Sequence, residues 1–181
     1  MSRRVSAEDW SAAGLALLRD EGVEALTVDR LCAALRRTKG SFYHHFRDLD
    51  GYLAALLRRW EAELTEAPIR AAAGEPDPAR RGAKLDAVVR GLDHRLDCAV
   101  RDWARRDPRA RAAMERIDRR RIDAIAAIHR AAGRRDARLL ASLEYVAFVG
   151  AQQLGLLSAP ARAARLSRAL RRALQRMSGG R

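Results

Sequence analysis

Between residues 27 and 46 the chain reads TVDRLCAALRRTKGSFYHHF, and its second half gathers Lys39, Ser41, Tyr43, His44 and His45 into one short stretch. These side-chain types hydrogen-bond to base edges and phosphates, and Tyr43 adds an aromatic platform. Phe42 and Phe46 stand four apart and share the other face of a helix about two turns long. Thr38 sits where an N-cap belongs. Lys39, Gly40 and Ser41 then form the first turn, where unpaired backbone N–H groups and the positive end of the helix dipole favour a phosphate. Upstream, Thr27 is placed to cap a helix whose Val28, Leu31, Cys32 and Leu35 recur at three- and four-residue intervals, giving one apolar face, with Asp29 and Arg30 outside it. Two short helices, a tight turn and a polar cluster on the second helix make a helix-turn-helix pattern.

The net charge of +13 suggests a polyanion partner, but its distribution matters more than its sum. Residues 1–65 hold ten Lys/Arg and ten Asp/Glu, so the excess lies in residues 66–181, with 26 and 13. Locally, Arg30, Arg36, Arg37, Lys39 and Arg47 occur with no acid among them, between Asp29 and Asp48. That stretch can form a positive patch on a neutral domain. Arg3 and Arg4 read either as an arm for a neighbouring groove or as a solvated chain start.

From about Ser6 to Leu57 the residues resemble the N-terminal domain of the tetracycline-repressor (TetR) family of bacterial transcription regulators. The resemblance rests on a first helix opening at Ser6 and ending near Gly22, the Leu26-Thr27 entry, the run from Thr38 to Phe46, and a fourth helix capped by Asp48. Gly40, Phe42, Tyr43, His45 and Phe46 all fall on the family pattern. The sequence departs from it at Arg36 and Arg37, where a glycine and a small apolar residue are usual, and at Leu49, where a lysine is common. An arginine in a left-handed turn costs on the order of 1 kcal/mol relative to glycine, so either the turn is remodelled or the helix runs on. The lost apolar residue at 37 loosens the packing beneath the turn.

Helix signals organise the rest. Ser6 and Asp9 form a capping-box start for a helix with Trp10, Ala13, Leu17 and Leu18 facing inward. A connecting helix spans 48–66 with Leu53, Leu56, Leu57, Trp60 and Leu64, and Pro68, Gly74, Pro76 and Pro78 mark a loop over 67–82. Helices follow at 83–94, 95–106, 108–132, 136–157 and 160–177, punctuated by Asp107-Pro108, Gly133 and Pro160. The expected class is all-α: a helix-turn-helix domain over 1–47, and a helical regulatory and dimerisation domain over 83–181. Leu139, Leu143, Val146, Gly150, Leu154 and Leu157 form one stripe, and Leu166, Leu170, Leu174 and Met177 another. Small residues at Gly150, Ala151 and Gly155 allow close approach. The resemblance implies that these last two helices pair across a twofold axis, giving a homodimer.

Lys39 and Tyr43, then His44, are the candidates for base contact. Thr27, Thr38, Ser41 and His45 hold phosphates and register, Arg36 and Arg37 flank them electrostatically, and Gly40 lets the backbone approach closely. Against this, Phe42 and Tyr43 can be core aromatics, and the histidines and arginines a solvated face. The resemblance also implies a small-molecule effector in the C-terminal bundle, for which Trp103, Glu144, Tyr145, Phe148 and Gln152 are the candidates. Two unrelated cysteines, and apolar runs short of the roughly 18 residues that cross a bilayer, point to the cytoplasm and to no membrane partner. No catalytic constellation, cofactor motif or metal-ligand spacing is present: adjacent His44 and His45 splay apart, and His94 and His129 lack ligands at the right spacing. The expected function is a dimeric, ligand-responsive repressor on a palindromic operator in double-stranded DNA. The alternative is a helical dimer whose basic C-terminal half, with Arg162, Arg165, Arg168, Arg171, Arg172 and Arg176, binds acidic partners or a membrane surface.

Overall fold

The structure, a computed structural model, describes residues 5–179; Arg3, Arg4 and the side chain of Met177 lie outside what it describes. The described residues form α1 (Ala7–Glu21), α2 (Val28–Leu35), α3 (Lys39–Tyr43), α4 (Leu49–Glu61), α5 (Ala67–Ala73), α6 (Pro78–Arg90), α7 (His94–Trp103), α8 (Pro108–Ala131), α9 (Ala137–Gln153) and α10 (Pro160–Gly179). A 3-10 turn at Val23–Ala25 and a π-helical turn at Ala62–Glu66 interrupt them, and the fold is all-helical as expected. Two compact units result, one from residues up to 62 with 95–114, the other from 63–94 with 115 onward.

The first unit starts its helices with the caps read from the sequence. Ser6 Oγ accepts the Asp9 N–H at 3.2 Å while the Asp9 carboxylate accepts the Ser6 N–H at 2.8 Å. Thr27 accepts from Arg30 N–H at 3.2 Å, Thr38 from Ser41 N–H at 3.3 Å and Asp48 from Gly51 N–H at 2.7 Å. Each such cap stabilises its helix by about 1 kcal/mol. Trp10, Leu18, Leu31, Phe42, Tyr52, Leu56 and Trp60 are fully buried. On α1, Ala13 and Leu17 are only half-buried, and Gly14 and Leu15 take the inward positions. The reason is Tyr52. Its hydroxyl donates to the Trp10 carbonyl at 2.9 Å, along a path where a Cβ on Gly14 would stand 1.8 Å from the Tyr52 oxygen. The segment 95–114 also belongs to this unit. Asp97, buried on α7, accepts from Trp60 Nε1 at 2.8 Å, a hydrogen bond that an acid buried beside an indole requires.

In the second unit the expected loop over 67–82 is mostly helix, and only 74–77 stays irregular. Two of the three prolines read as breaks are helix starts: Pro78 opens α6 behind the Asp77 cap, and Pro68 lies in the first turn of α5, where a missing N–H costs least. Pro68 still leaves the Leu64 carbonyl, four residues back, without its helical donor, and its ring crowds that carbonyl. The backbone widens there into the π-helical turn. Arg121 on α8 replaces the donor, with Nη2 on Leu64 O at 3.1 Å and Nε on Thr65 Oγ1 at 2.9 Å. Arg120 pairs with Glu66 at 2.8 Å, and Arg171 on α10 with Asp86 on α6 at 2.7 Å. Gly155, assigned from sequence to close helix approach, instead ends α9 at φ 65°, so α9 stops short of Leu157. Gly133 ends α8 in the same way at φ 72°.

Candidate nucleic-acid interface

At five residues, α3 is too short to hold its own orientation by an apolar stripe, and one ring does that work. Phe42, wholly buried, meets Trp10 at 5.4 Å, Tyr52 at 5.4 Å and Phe46 at 5.3 Å between ring centroids. With Phe42 fixed, the next residue must point away: Tyr43 is 53% exposed. The two aromatics therefore separate into a core residue and a surface residue. Thr27, Arg36, Thr38, Lys39, Gly40 and His44 are exposed, and Arg37, Ser41 and His45 half-buried. His44 and His45 lie past the end of α3, their rings edge to face at 5.1 Å. A Cβ on Gly40 would meet only Thr38 Oγ1, at an ordinary 3.8 Å, so the glycine leaves an open approach to the α3 backbone. Thr27 and Thr38 use an oxygen lone pair in capping, which leaves the hydroxyl proton able to donate to a phosphate.

The turn between α2 and α3 resolves the alternative left by Arg36. It adopts φ 52°, ψ 52°, the left-handed conformation, so the turn geometry is kept and the residue carries the strain. Its N–H donates to Ala33 O at 3.2 Å and the Arg37 N–H to Cys32 O at 2.9 Å, the paired bonds of a Schellman helix end. The positive patch read from sequence is less free than its composition implied. Asp29, outside the basic run in sequence, meets Lys39 Nζ at 2.7 Å, Arg30 pairs with Glu21, and Arg47 lies 3.8 Å from Asp48. The hydrogen-bonded Asp29 carboxylate holds the Lys39 ammonium above its ordinary pKa.

Residues 12–56, spanning α1 to α4, match the family model for bacterial regulatory proteins of the tetR family. The match covers these four helices, about a quarter of the chain, and makes them similar to the N-terminal domain of that family. Among solved structures the chain is similar to the regulatory protein TetR from Rhodobacter sphaeroides, at 23% identity over 91% of this chain and 96% of that one, TM-score 0.76. A transcriptional regulator from Rhodococcus sp. Rha1 shows 21% identity over 94% and 95%, TM-score 0.74. A TetR/AcrR family member shows 16% over 93% and 97%, TM-score 0.81. At these identities the likeness is one of fold, and it extends over nearly the whole chain. A search of curated protein sequences finds no significant relative. The comparisons thus give a helix-turn-helix domain over residues 12–56 and the fold of the solved regulators over the rest.

Of its expected effector residues, the second unit brings Tyr145, Phe148 and Gln152 together and adds His94, which sequence spacing had passed over. Phe148 lies 5.5 Å from the His94 ring and 6.1 Å from Tyr145, and Gln152 Nε2 is 3.1 Å from His94 Nδ1. These residues are three or four positions apart on α9 or on another helix, and a lone histidine has no sequence signal that would have joined them. The Tyr145 hydroxyl donates to Asp118 at 2.6 Å, and burial pushes its pKa up to about 12. Glu144 turns instead to His129, at 3.1 Å. Trp103, buried at the end of α7, belongs to the first unit.

Proposed function

We propose that this chain acts in the cytoplasm as a dimeric, ligand-responsive repressor whose two copies of α3 read a palindromic operator. The observation that carries this reading is the split between Phe42, wholly buried, and Tyr43, 53% exposed, because it fixes α3 on the core by one ring and leaves the next on the open face beside Lys39, where it can meet a base edge. Lys39, Tyr43 and His44 are the base readers. Thr27, Thr38, Ser41 and His45 hold phosphates, with Arg36 and Arg37 as flanking charges and Gly40 as the point of close approach. Repression and a small-molecule effector are typical of the family, and no catalytic residue is assigned. One α3 covers a few base pairs, so a twofold dimer spaces two half-sites about 34–36 Å apart. The exposed Leu139, Leu143 and Val146 on α9, Leu154 at its end and Leu166 on α10 support pairing through the last two helices. An effector among Tyr145, Phe148, Gln152 and Glu144 changes operator affinity only if it binds one dimer geometry better than the other. Trp103 is left out of that set.

The test is selection of bound sequences from a random duplex pool, repeated with Tyr43→Ala and Lys39→Ala. The expected result is a palindromic consensus, weakened by ~1–3 kcal/mol per lost base contact. Salt-sensitive binding with no consensus, unchanged by either substitution, would refute operator recognition by α3.

A further inference from the structure

The pairing of Lys39 with Asp29 assigns a role to a residue that sequence placed merely on the outer face of α2. Both side chains are largely exposed, at 60% and 75%, so the pair is open to a ligand from solvent. Wherever Lys39 meets DNA, the Asp29 carboxylate lies beside it. An ionised carboxylate only accepts hydrogen bonds, so phosphates repel it, and the acceptors on guanine and thymine edges offer it nothing. The donors open to it in the major groove are the exocyclic amines of cytosine and adenine. Lys39 offers the complementary chemistry, three donors that suit guanine O6 and N7. A single G·C pair presents both partners side by side: guanine O6 and cytosine N4 are joined by a base-pair hydrogen bond of ordinary length, about 2.9 Å. The Nζ to Oδ1 separation in the protein is 2.7 Å. Donor and acceptor on the protein therefore match acceptor and donor on one base pair, in a closed ring of four polar atoms.

We propose that Asp29 is a specificity-determining residue that reads, together with Lys39, both bases of one G·C pair in each half-site. Lys39 donates to guanine and Asp29 accepts from cytosine. The carboxylate also repels phosphate, so it lowers affinity for duplexes in which this base pair is wrong. The proposal rests on operator recognition by α3.

Selection from the random duplex pool is run in parallel with the unsubstituted protein, Asp29→Ala and Asp29→Asn. Binding of the resulting consensus and of a random duplex is then titrated across salt. Asp29→Ala is expected to erase the cytosine preference at one symmetric pair of positions, a loss of about ten-fold in discrimination. It should also strengthen random-duplex binding and steepen the salt dependence by about one counterion as Lys39 is released to phosphate. Asp29→Asn, with both an acceptor and a donor, is expected to move the preference toward adenine. If both variants return the unsubstituted consensus, the proposal is overturned while operator recognition stands. If even the unsubstituted protein yields no consensus, operator recognition and this proposal fall together.

Discussion

At the scale of single residues, the first unit depends on a glycine that has nothing to do with a turn. Gly14 lies in mid-helix, where glycine costs roughly 0.5–1 kcal/mol relative to alanine. It is tolerated because Tyr52 passes over it to reach the Trp10 carbonyl. Gly14→Ala is expected to destabilise the domain by about 1–3 kcal/mol through overpacking. Tyr52→Phe alone should cost about 1 kcal/mol, one hydrogen bond. Because removing the hydroxyl also removes the atom nearest the new methyl group, the double variant should be less destabilised than the sum. Urea melts of the four proteins measure this, and strict additivity would mean that the alanine is accommodated elsewhere. Helical periodicity alone put Ala13 and Leu17 on the buried stripe, and no pattern in α1 reveals a tyrosine 42 positions beyond Trp10 in sequence.

At the scale of elements, helix ends decide where the chain turns, and they respond to side chains far along the sequence. Three helices end in the same paired backbone bonds, two with glycine at the left-handed position, Gly133 and Gly155, and one with Arg36. Pro68 poses the opposite problem, a helix continuing through a residue that should break it. Arg121 makes this possible by donating to Leu64 O, so Arg121→Met should leave a partly buried carbonyl without that donor and destabilise the second unit by about 1 kcal/mol or more. Pro68→Ala restores an N–H at the position that would normally serve Leu64, and it is expected to recover part of the loss in the Arg121→Met background. The check is the chemical denaturation midpoint of the double variant, which must lie above that of Arg121→Met alone. If it lies at or below that value, the proline does not cause the π-helical turn.

At the scale of the whole molecule, the question is what covers the outer face of α9. Val146 and Leu154 are 67% and 74% exposed, and with Leu139 and Leu143 they keep the spacing of one helical face as far as Val146. In the proposed dimer that face is buried against its copy. Val146→Glu combined with Leu143→Glu is therefore expected to leave the thermal stability of the protomer within about 1 kcal/mol, since exposed positions tolerate charge. The same pair should convert the dimer to a monomer in sedimentation, and lower affinity for a two-half-site operator by more than about ten-fold while affinity for an isolated half-site holds. Persistence of the dimer would place the twofold seam elsewhere.

What the sequence determined by itself is local: the caps at Ser6, Thr27, Thr38 and Asp48, the all-helical class, and the run from Thr38 to Phe46 that carries the family resemblance. Each depends on residues within a few positions of one another, where covalent geometry already fixes the neighbours. The tertiary structure decided everything that joins distant segments. It separated Phe42 from Tyr43 by packing one ring against Trp10 and Tyr52, and drew 95–114 into the first unit through Asp97 and Trp60. It turned two of the three prolines of the expected loop into helix starts, with Arg121 supplying the donor that Pro68 lacks. It also brought Asp29 onto Lys39, giving the basic run a carboxylate that no reading of that run contained. A periodic pattern shows which face of a helix is apolar, but the partner of a polar or charged group depends on which helix comes to lie beside it.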